Sequence, residues 1–130
     1  MGGDHAPEAV VRAVNSLVGE YPHVTFHLIG LAHLEHAFVH SNIVYHTAEI
    51  AITMDADAML AVKAGARSTL GMGVGLLKSG TVDSFVSAGN TAAIMTLGYM
   101  GLREMGGKRR PCMMSNIVTQ GKTVWILDLG

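Results

Sequence analysis

The residues best suited to hold an anion gather in Ser87-Ala88-Gly89-Asn90-Thr91. A small residue followed by glycine lets the backbone turn tightly, and Asn90 or Thr91 can cap the apolar segment behind it. The first N–H groups of a helix lack intrahelical acceptors and carry the positive end of its dipole. Several N–H groups around Gly89, Asn90 and Thr91 would then point outward as an anion site. The same residues also suit a well-capped turn with no ligand, and the stretch alone leaves both uses open.

The surrounding pattern supplies the elements that must position this stretch. Asp83 to Val86 reads as a short strand and Ala92 to Met105 as a helix stopped by Gly106-Gly107, which makes the stretch a strand-to-helix turn. The chain opens on a second glycine turn, Met1-Gly2-Gly3-Asp4, with Asp4 able to cap a helix from about Pro7 to Glu20. Val24 to Gly30 is the next strand, Leu31 to His40 a short helix, and Ile43 to His46 a short strand. Asp55 to Ala64 fits a helix, and Ser68 caps another that runs to about Ser79 and ends at Gly80. A basic loop, Lys108 to Pro111, precedes the strand Cys112 to Val118, and Thr119-Gln120-Gly121-Lys122 is a hairpin connection into Thr123 to Asp128.

Strands alternating with helices predict an α/β fold whose mainly parallel, doubly wound sheet is covered on both faces, with the last two strands an antiparallel addition. Ligands in such sheets lie beyond the carboxyl ends of strands. The opening turn, Gly30, Gly89-Asn90 and Asp128-Leu129-Gly130 all follow strand ends and are expected at one rim. No repeat, low-complexity tract or linker divides residues 1–130, so a single domain is expected.

Composition excludes several classes. The chain is 49% hydrophobic and 15% charged, which calls for substantial burial. A net charge of −1 leaves no footprint for nucleic acid. The one cysteine, Cys112, forms no internal disulfide, fits a reducing compartment and reads as a small buried hydrophobe on a strand. Ser84 to Leu102 is uncharged for 19 residues, but its glycines and polar residues split it into a strand and an apolar helix rather than a membrane span. The N-terminus lacks the basic and apolar regions of a signal peptide, and a cytoplasmic location is expected.

The residues that carry the central turn also carry a resemblance. Met1-Gly2-Gly3-Asp4-His5-Ala6-Pro7, then Ser87 to Thr91 followed by Ile94 and Met95, then Arg110-Pro111 and Leu127-Asp128-Leu129-Gly130 occur in the order of one family and at about its spacing. On these motifs the chain resembles the N-terminal portion of the bacterial PlsX phosphate acyltransferases of fatty acid and phospholipid synthesis. The resemblance implies conversion of acyl-acyl-carrier-protein and inorganic phosphate to acyl-phosphate for phosphatidic acid synthesis, without a cofactor or metal. It also implies a Rossmann-like three-layer sandwich of the isocitrate/isopropylmalate dehydrogenase type, incomplete in this chain. The family carries a strand directly before the opening turn and is much longer, so this sequence is expected to start one strand late. A homodimer with transient contact at the membrane surface is implied as well.

Acyl-phosphate synthesis requires donors for phosphate and preorganised donors for the thioester oxyanion, with little covalent help from the protein. By the resemblance, the Asn90 amide, Asp4 and His5 are the catalytic candidates: Asp4 to orient a donor or accept a proton, His5 as an acid-base group. Gly2, Gly3, Lys63, Gly89, Asn90, Thr91 and Asp128 are the substrate- and phosphate-binding candidates. Each has a plainer reading too: helix capping for Asp4, a surface imidazole for His5, a solvated charge for Lys63 and Arg67. The chain departs from the family pattern around Arg67, where a denser basic run is usual, and at Ala92, where many members have glycine.

Related acyltransferase chemistry on another thioester, of the phosphotransacetylase type, is the rival enzyme reading, and a non-catalytic anion-binding or assembly fragment is the third. Gly71-Met72-Gly73-Val74-Gly75 lacks the third glycine of a dinucleotide fingerprint. His33, His36 and His40 stand at i, i+3 and i+7 without a Cys or Asp partner and are not read as metal ligands. Ser87 lacks the context of a nucleophile elbow.

Overall fold

The computed structural model describes residues 2–38, 40–102 and 112–127. Helix α1 spans Glu8–Glu20 and buries Val14 and Val18. Its N-cap position is Pro7 and no side chain caps it, so Asp4 is not the cap that its position suggests. Asp4 lies instead in a turn closed by the Ala6 N–H donating to the Gly3 carbonyl at 3.0 Å. A proline at a helix start supplies a preset φ without wasting an N–H, which explains why the helix waits for it.

Strands β1 (Phe26–Gly30) and β2 (Ile43–Thr47) pair in parallel, with Phe26 opposite Ile43 and Gly30 opposite Thr47. Parallel neighbours need a crossover of about a dozen residues or more, usually carrying an α-helix. Here the short crossover holds only a 3-10 helix, Ala32–Ala37, instead of the helix expected to His40. His40 lies beyond this element, so His33 and His40 share no helical face. The Asn42 side-chain amide fixes the end of the crossover by donating to the Val18 and Val24 carbonyls. On diagonal positions of the pair, the rings of His27 and His46 stack, with Nδ1 of the first 2.9 Å from Nε2 of the second.

Helix α2 spans Ala58–Ala64, capped by the Asp57 carboxylate, which accepts from the Met59 N–H at 2.7 Å. Helix α3 spans Thr69–Lys78, and its predicted cap is present: the Ser68 hydroxyl accepts from the Gly71 N–H at 3.0 Å. Its end is the predicted one too. Gly80 takes φ +72°, its N–H donates to Leu77, and the Thr81 N–H donates to Leu76, the paired bonds of a Schellman motif. Helix α4 spans Thr91–Leu102. Ile52, Ala61, Leu70, Val74, Ala93 and Leu97 form the core that α2, α3 and α4 share, with Ile52 fully buried. Each large side chain removed from water in this way contributes about 1.5–3 kcal/mol.

Residues 83–86 do not form the predicted strand. An extended segment becomes a strand only when a neighbour completes its hydrogen-bond ladder, and among the described residues none lies alongside. The segment is anchored by packing instead, the Phe85 ring lying directly over Gly73 of α3. The central turn is therefore a loop-to-helix turn.

Strands β3 (Met114–Thr119) and β4 (Lys122–Leu127) form the antiparallel hairpin expected, joined by Gln120-Gly121, both at positive φ. They make a separate sheet rather than an addition to β1–β2. Both faces of this hairpin are largely exposed, Trp125 and Leu127 included, and Cys112 just before it is exposed rather than buried. The chain is thus α/β, with a small parallel sheet, a three-helix core and a hairpin. Among the described residues no helix is long and apolar enough to cross a membrane. The stop signal Gly106-Gly107, the basic loop Lys108 to Pro111, and Asp128 to Gly130 lie outside the described residues.

Candidate functional site

The start of α4 is built by one buried side chain. Asn90 Oδ1 accepts from the Ala93 N–H at 3.0 Å, the bond of an N-cap, and the Asn90 carbonyl accepts from Ile94. Its amide nitrogen turns inward, lying 3.3, 3.1 and 2.7 Å from the carbonyls of Thr53, Met54 and Ala56. Asn90 is 5% exposed, so the side chain is spent within the fold, holding the α4 cap to the loop that leads into α2. Sequence reasoning recognised the cap but missed the 53–56 loop. Its local signals, a turn followed by an Asp cap, gave no hint of a partner so far along the chain.

Just before Asn90, the Ser87 hydroxyl accepts from the Gly89 N–H at 3.1 Å. The backbone N–H groups of Asn90, Thr91 and Ala92 have no protein acceptor among the described residues. Three successive free donors at the positive end of a 12-residue helix form an arrangement able to receive anionic oxygens. The Thr91 side chain is exposed beside them.

The opening turn meets this helix start. Gly2 takes φ +115°, and a methyl group there would stand 2.7 Å from the Ile52 carbonyl oxygen and 3.4 Å from the Gly89 Cα. At Gly3 a methyl would stand 3.2 Å from the Ala88 side chain. Backbone packs on backbone here, and glycine is what permits it. The structure thus brings together Gly2, Gly3, Gly89, Asn90 and Thr91. Asp4 and His5 follow on the same turn and are exposed.

Other candidates stand apart. Lys63 is exposed on the last turn of α2, the helix whose entry loop Asn90 holds. Arg67 points to the Glu49 carboxylate at 3.7 Å, an exposed ion pair of small energetic weight. Gly30 lines a mostly apolar cavity of about 50 Å³ with Pro7, Val10, Leu28, Phe38 and Tyr45, away from the α4 start. Asp128 lies outside the described residues. Among the described residues, no group of three or more His, Cys, Asp or Glu side chains is placed to hold a metal ion.

Comparison with known proteins bears on this geometry along the whole sequence. The family model described as fatty acid synthesis protein matches residues 1–130. Phosphate acyltransferases of Magnetococcus marinus, Chlamydia trachomatis serovar A and Lactococcus lactis subsp. lactis are 34%, 33% and 37% identical to it. Each match covers 100% of this chain and 39%, 42% and 40% of the relative, so the chain spans about two fifths of the length of these proteins. With a family match from first residue to last, the chain belongs to the fatty acid synthesis protein family.

Proposed function

We propose that this chain is part of a phosphate acyltransferase that converts acyl-acyl-carrier-protein and inorganic phosphate to acyl-phosphate for phospholipid synthesis. The observation that carries the reading is the trio of free N–H groups at Asn90, Thr91 and Ala92 beside the Gly2-Gly3 turn, in a member of this family. In this reaction a phosphate oxygen attacks the thioester carbonyl, the tetrahedral oxyanion collapses, a C–O bond replaces the C–S bond, and the carrier thiol leaves with the proton. Preorganised N–H donors stabilise such an anion without reorganising. The phosphate or the oxyanion occupies the α4 start, and Lys63 and Asp128 are the remaining candidates for its binding.

Within this reading Asn90 is a positioning residue, because its amide already serves the 53–56 loop. Asp4 and His5 remain candidates for handling the proton, being exposed on the turn that abuts Gly89. The finer fold assignment belongs to the same proposal: a single domain that forms the N-terminal part of a Rossmann-like sandwich of the isocitrate/isopropylmalate dehydrogenase type. So do a cytoplasmic location, transient contact with the membrane surface and a homodimer, for which the exposed Met114, Ile117, Trp125 and Leu127 of the hairpin offer apolar surface.

The test is phosphate titration followed by amide NMR, with acyl-phosphate release from acyl-acyl-carrier-protein measured alongside. Saturable shifts at Gly89 to Ala92 are expected of this chain, and acyl-phosphate release of an acyltransferase of the relatives' full length that contains it. A dispersed spectrum with no response at those amides sinks the anion site, and turnover of acetyl-coenzyme A in place of the acyl carrier favours the phosphotransacetylase type.

A further inference from the structure

Helix α3 carries three glycines, Gly71, Gly73 and Gly75, although glycine inside a helix is less stable than alanine. Two of them are explained by what lies against them. A methyl group at Gly71 would collide with the Gly65 carbonyl, and one at Gly73 would collide with the Phe85 ring. At Gly75 an added methyl meets nothing within 4 Å. Gly73 is therefore a notch in α3 for Phe85, the side chain of segment 83–86 that packs against the shared core. That anchor matters because the backbone supplies none: residues 83–88 make no backbone–backbone hydrogen bond among the described residues, and Val86 is 90% exposed. The next fixed points are Ala88 and Gly89, which lie against Gly3 and Gly2, and Asn90, whose amide holds the 53–56 loop.

We propose that Phe85, seated on Gly73, is a positioning residue for the central turn: it fixes how the backbone enters Gly89-Asn90, and with that the direction of the Asn90 N–H. The inference rests on the anion reading above and adds to it what aims the donors. The Thr91 and Ala92 N–H groups belong to the first turn of α4 and follow the helix. The Asn90 N–H belongs instead to the peptide unit shared with Gly89, on the side of the Asn90 clamp that leads back to Phe85. A displaced Phe85 therefore reorients that peptide first. Preorganised donors are effective because they need no realignment when charge arrives. An entering segment free to swing would thus weaken anion binding while leaving α4 intact.

The test compares the unsubstituted chain with Gly73→Ala, Phe85→Ala, Gly75→Ala and the double variant Gly73→Ala/Phe85→Leu. Each is followed by amide NMR, first without ligand and then during titration with inorganic phosphate, and by thermal melting. Expected in Gly73→Ala and Phe85→Ala are ligand-free shifts that reach Gly89 and Asn90 and fade towards Ala92. Phosphate affinity should fall about three- to ten-fold in both, the upper figure being the loss of one hydrogen bond to a charged ligand. Phe85→Ala adds no bulk to α3 and carries the test where Gly73→Ala fails to fold. Leucine is smaller than phenylalanine, so the double variant makes room for the new methyl group and should recover affinity relative to Gly73→Ala. Gly75→Ala should bind phosphate as the unsubstituted chain does. A lowered melting temperature with unchanged affinity marks a packing contact alone and overturns the inference, leaving the anion site standing. Ligand-free shifts that stop short of Gly89, or an equal loss of affinity in Gly75→Ala, overturn it as well. Absence of phosphate binding by the unsubstituted chain overturns the anion reading and the inference together.

Discussion

The Asn90 amide nitrogen lies 2.7 Å from the Ala56 carbonyl, so the residue that starts α4 also closes the loop that leads into α2. Two functions sit on one side chain, and substitution can separate them. Asn90→Ala removes the cap, worth about 1 kcal/mol, and leaves three loop carbonyls without their donor, for a total of about 2–4 kcal/mol. Asn90→Asp keeps a good cap acceptor but places a carboxylate against those carbonyls. At pH 7 urea denaturation should show Asn90→Asp to be at least as destabilised as Asn90→Ala. A near-native midpoint for Asn90→Asp would reduce the residue to a simple cap.

Thr91 offers a way to delete one anion donor while keeping the helix. Proline is accepted at the first position of a helix and removes its N–H. Thr91→Pro should change stability by no more than about 0.5 kcal/mol, as an exposed substitution does. Phosphate affinity should fall about ten-fold, the loss of one hydrogen bond to a charged ligand. Unchanged phosphate titration in a helical Thr91→Pro variant would argue that these donors do not meet the anion.

Gly2 and Gly19 predict opposite outcomes for the same change. Gly2→Ala puts a methyl group at φ +115° and 2.7 Å from the Ile52 carbonyl, a strain of about 1–3 kcal/mol that pushes the opening turn off Gly89. Gly19 lies within α1, where an added methyl meets nothing within 4 Å, and Gly19→Ala should stabilise by about 0.5–1 kcal/mol. Thermal melts of both variants, with phosphate titration of Gly2→Ala, check the pair. Phosphate binding should weaken in Gly2→Ala and stay unchanged in Gly19→Ala.

The stacked imidazoles make stability depend on pH. Burial and, to a smaller extent, the neighbouring His27 hold His46 below its ordinary 6.5. The unfolded chain therefore takes up the proton more readily than the folded one, and stability is full above 6.5 and declines as the pH falls below it. The melting temperature should therefore fall between neutral and mildly acidic pH. His46→Gln should flatten that slope. A slope unchanged in the variant would assign the dependence to other groups.

What could be read from the sequence was local. Ser68, Gly80 and Gln120-Gly121 announce their cap, their Schellman end and their hairpin turn because each acts on backbone groups a few residues away. Asp4 and residues 83–86 misled for the complementary reason. A cap is used only where a helix starts, and Pro7 set the start; a strand exists only where a neighbour pairs with it. The approach of Gly2 to Ile52 and Gly89 was visible as a glycine turn expected at the same rim, without its partners. The three carbonyls held by Asn90 left no mark near Asn90 itself, since tertiary contacts carry no spacing rule.

Those three bonds span 34 to 37 residues of sequence. Closing loops of that length costs entropy that only the assembled α2, α3 and α4 can offset, so the turn takes its shape when the core does and not before. An unfolded or partly folded chain has no equivalent of this site. Binding and folding are for that reason thermodynamically linked: any anion that prefers the α4 start acts as a folding ligand, raising stability by mass action in proportion to the logarithm of its concentration once the site is near saturation.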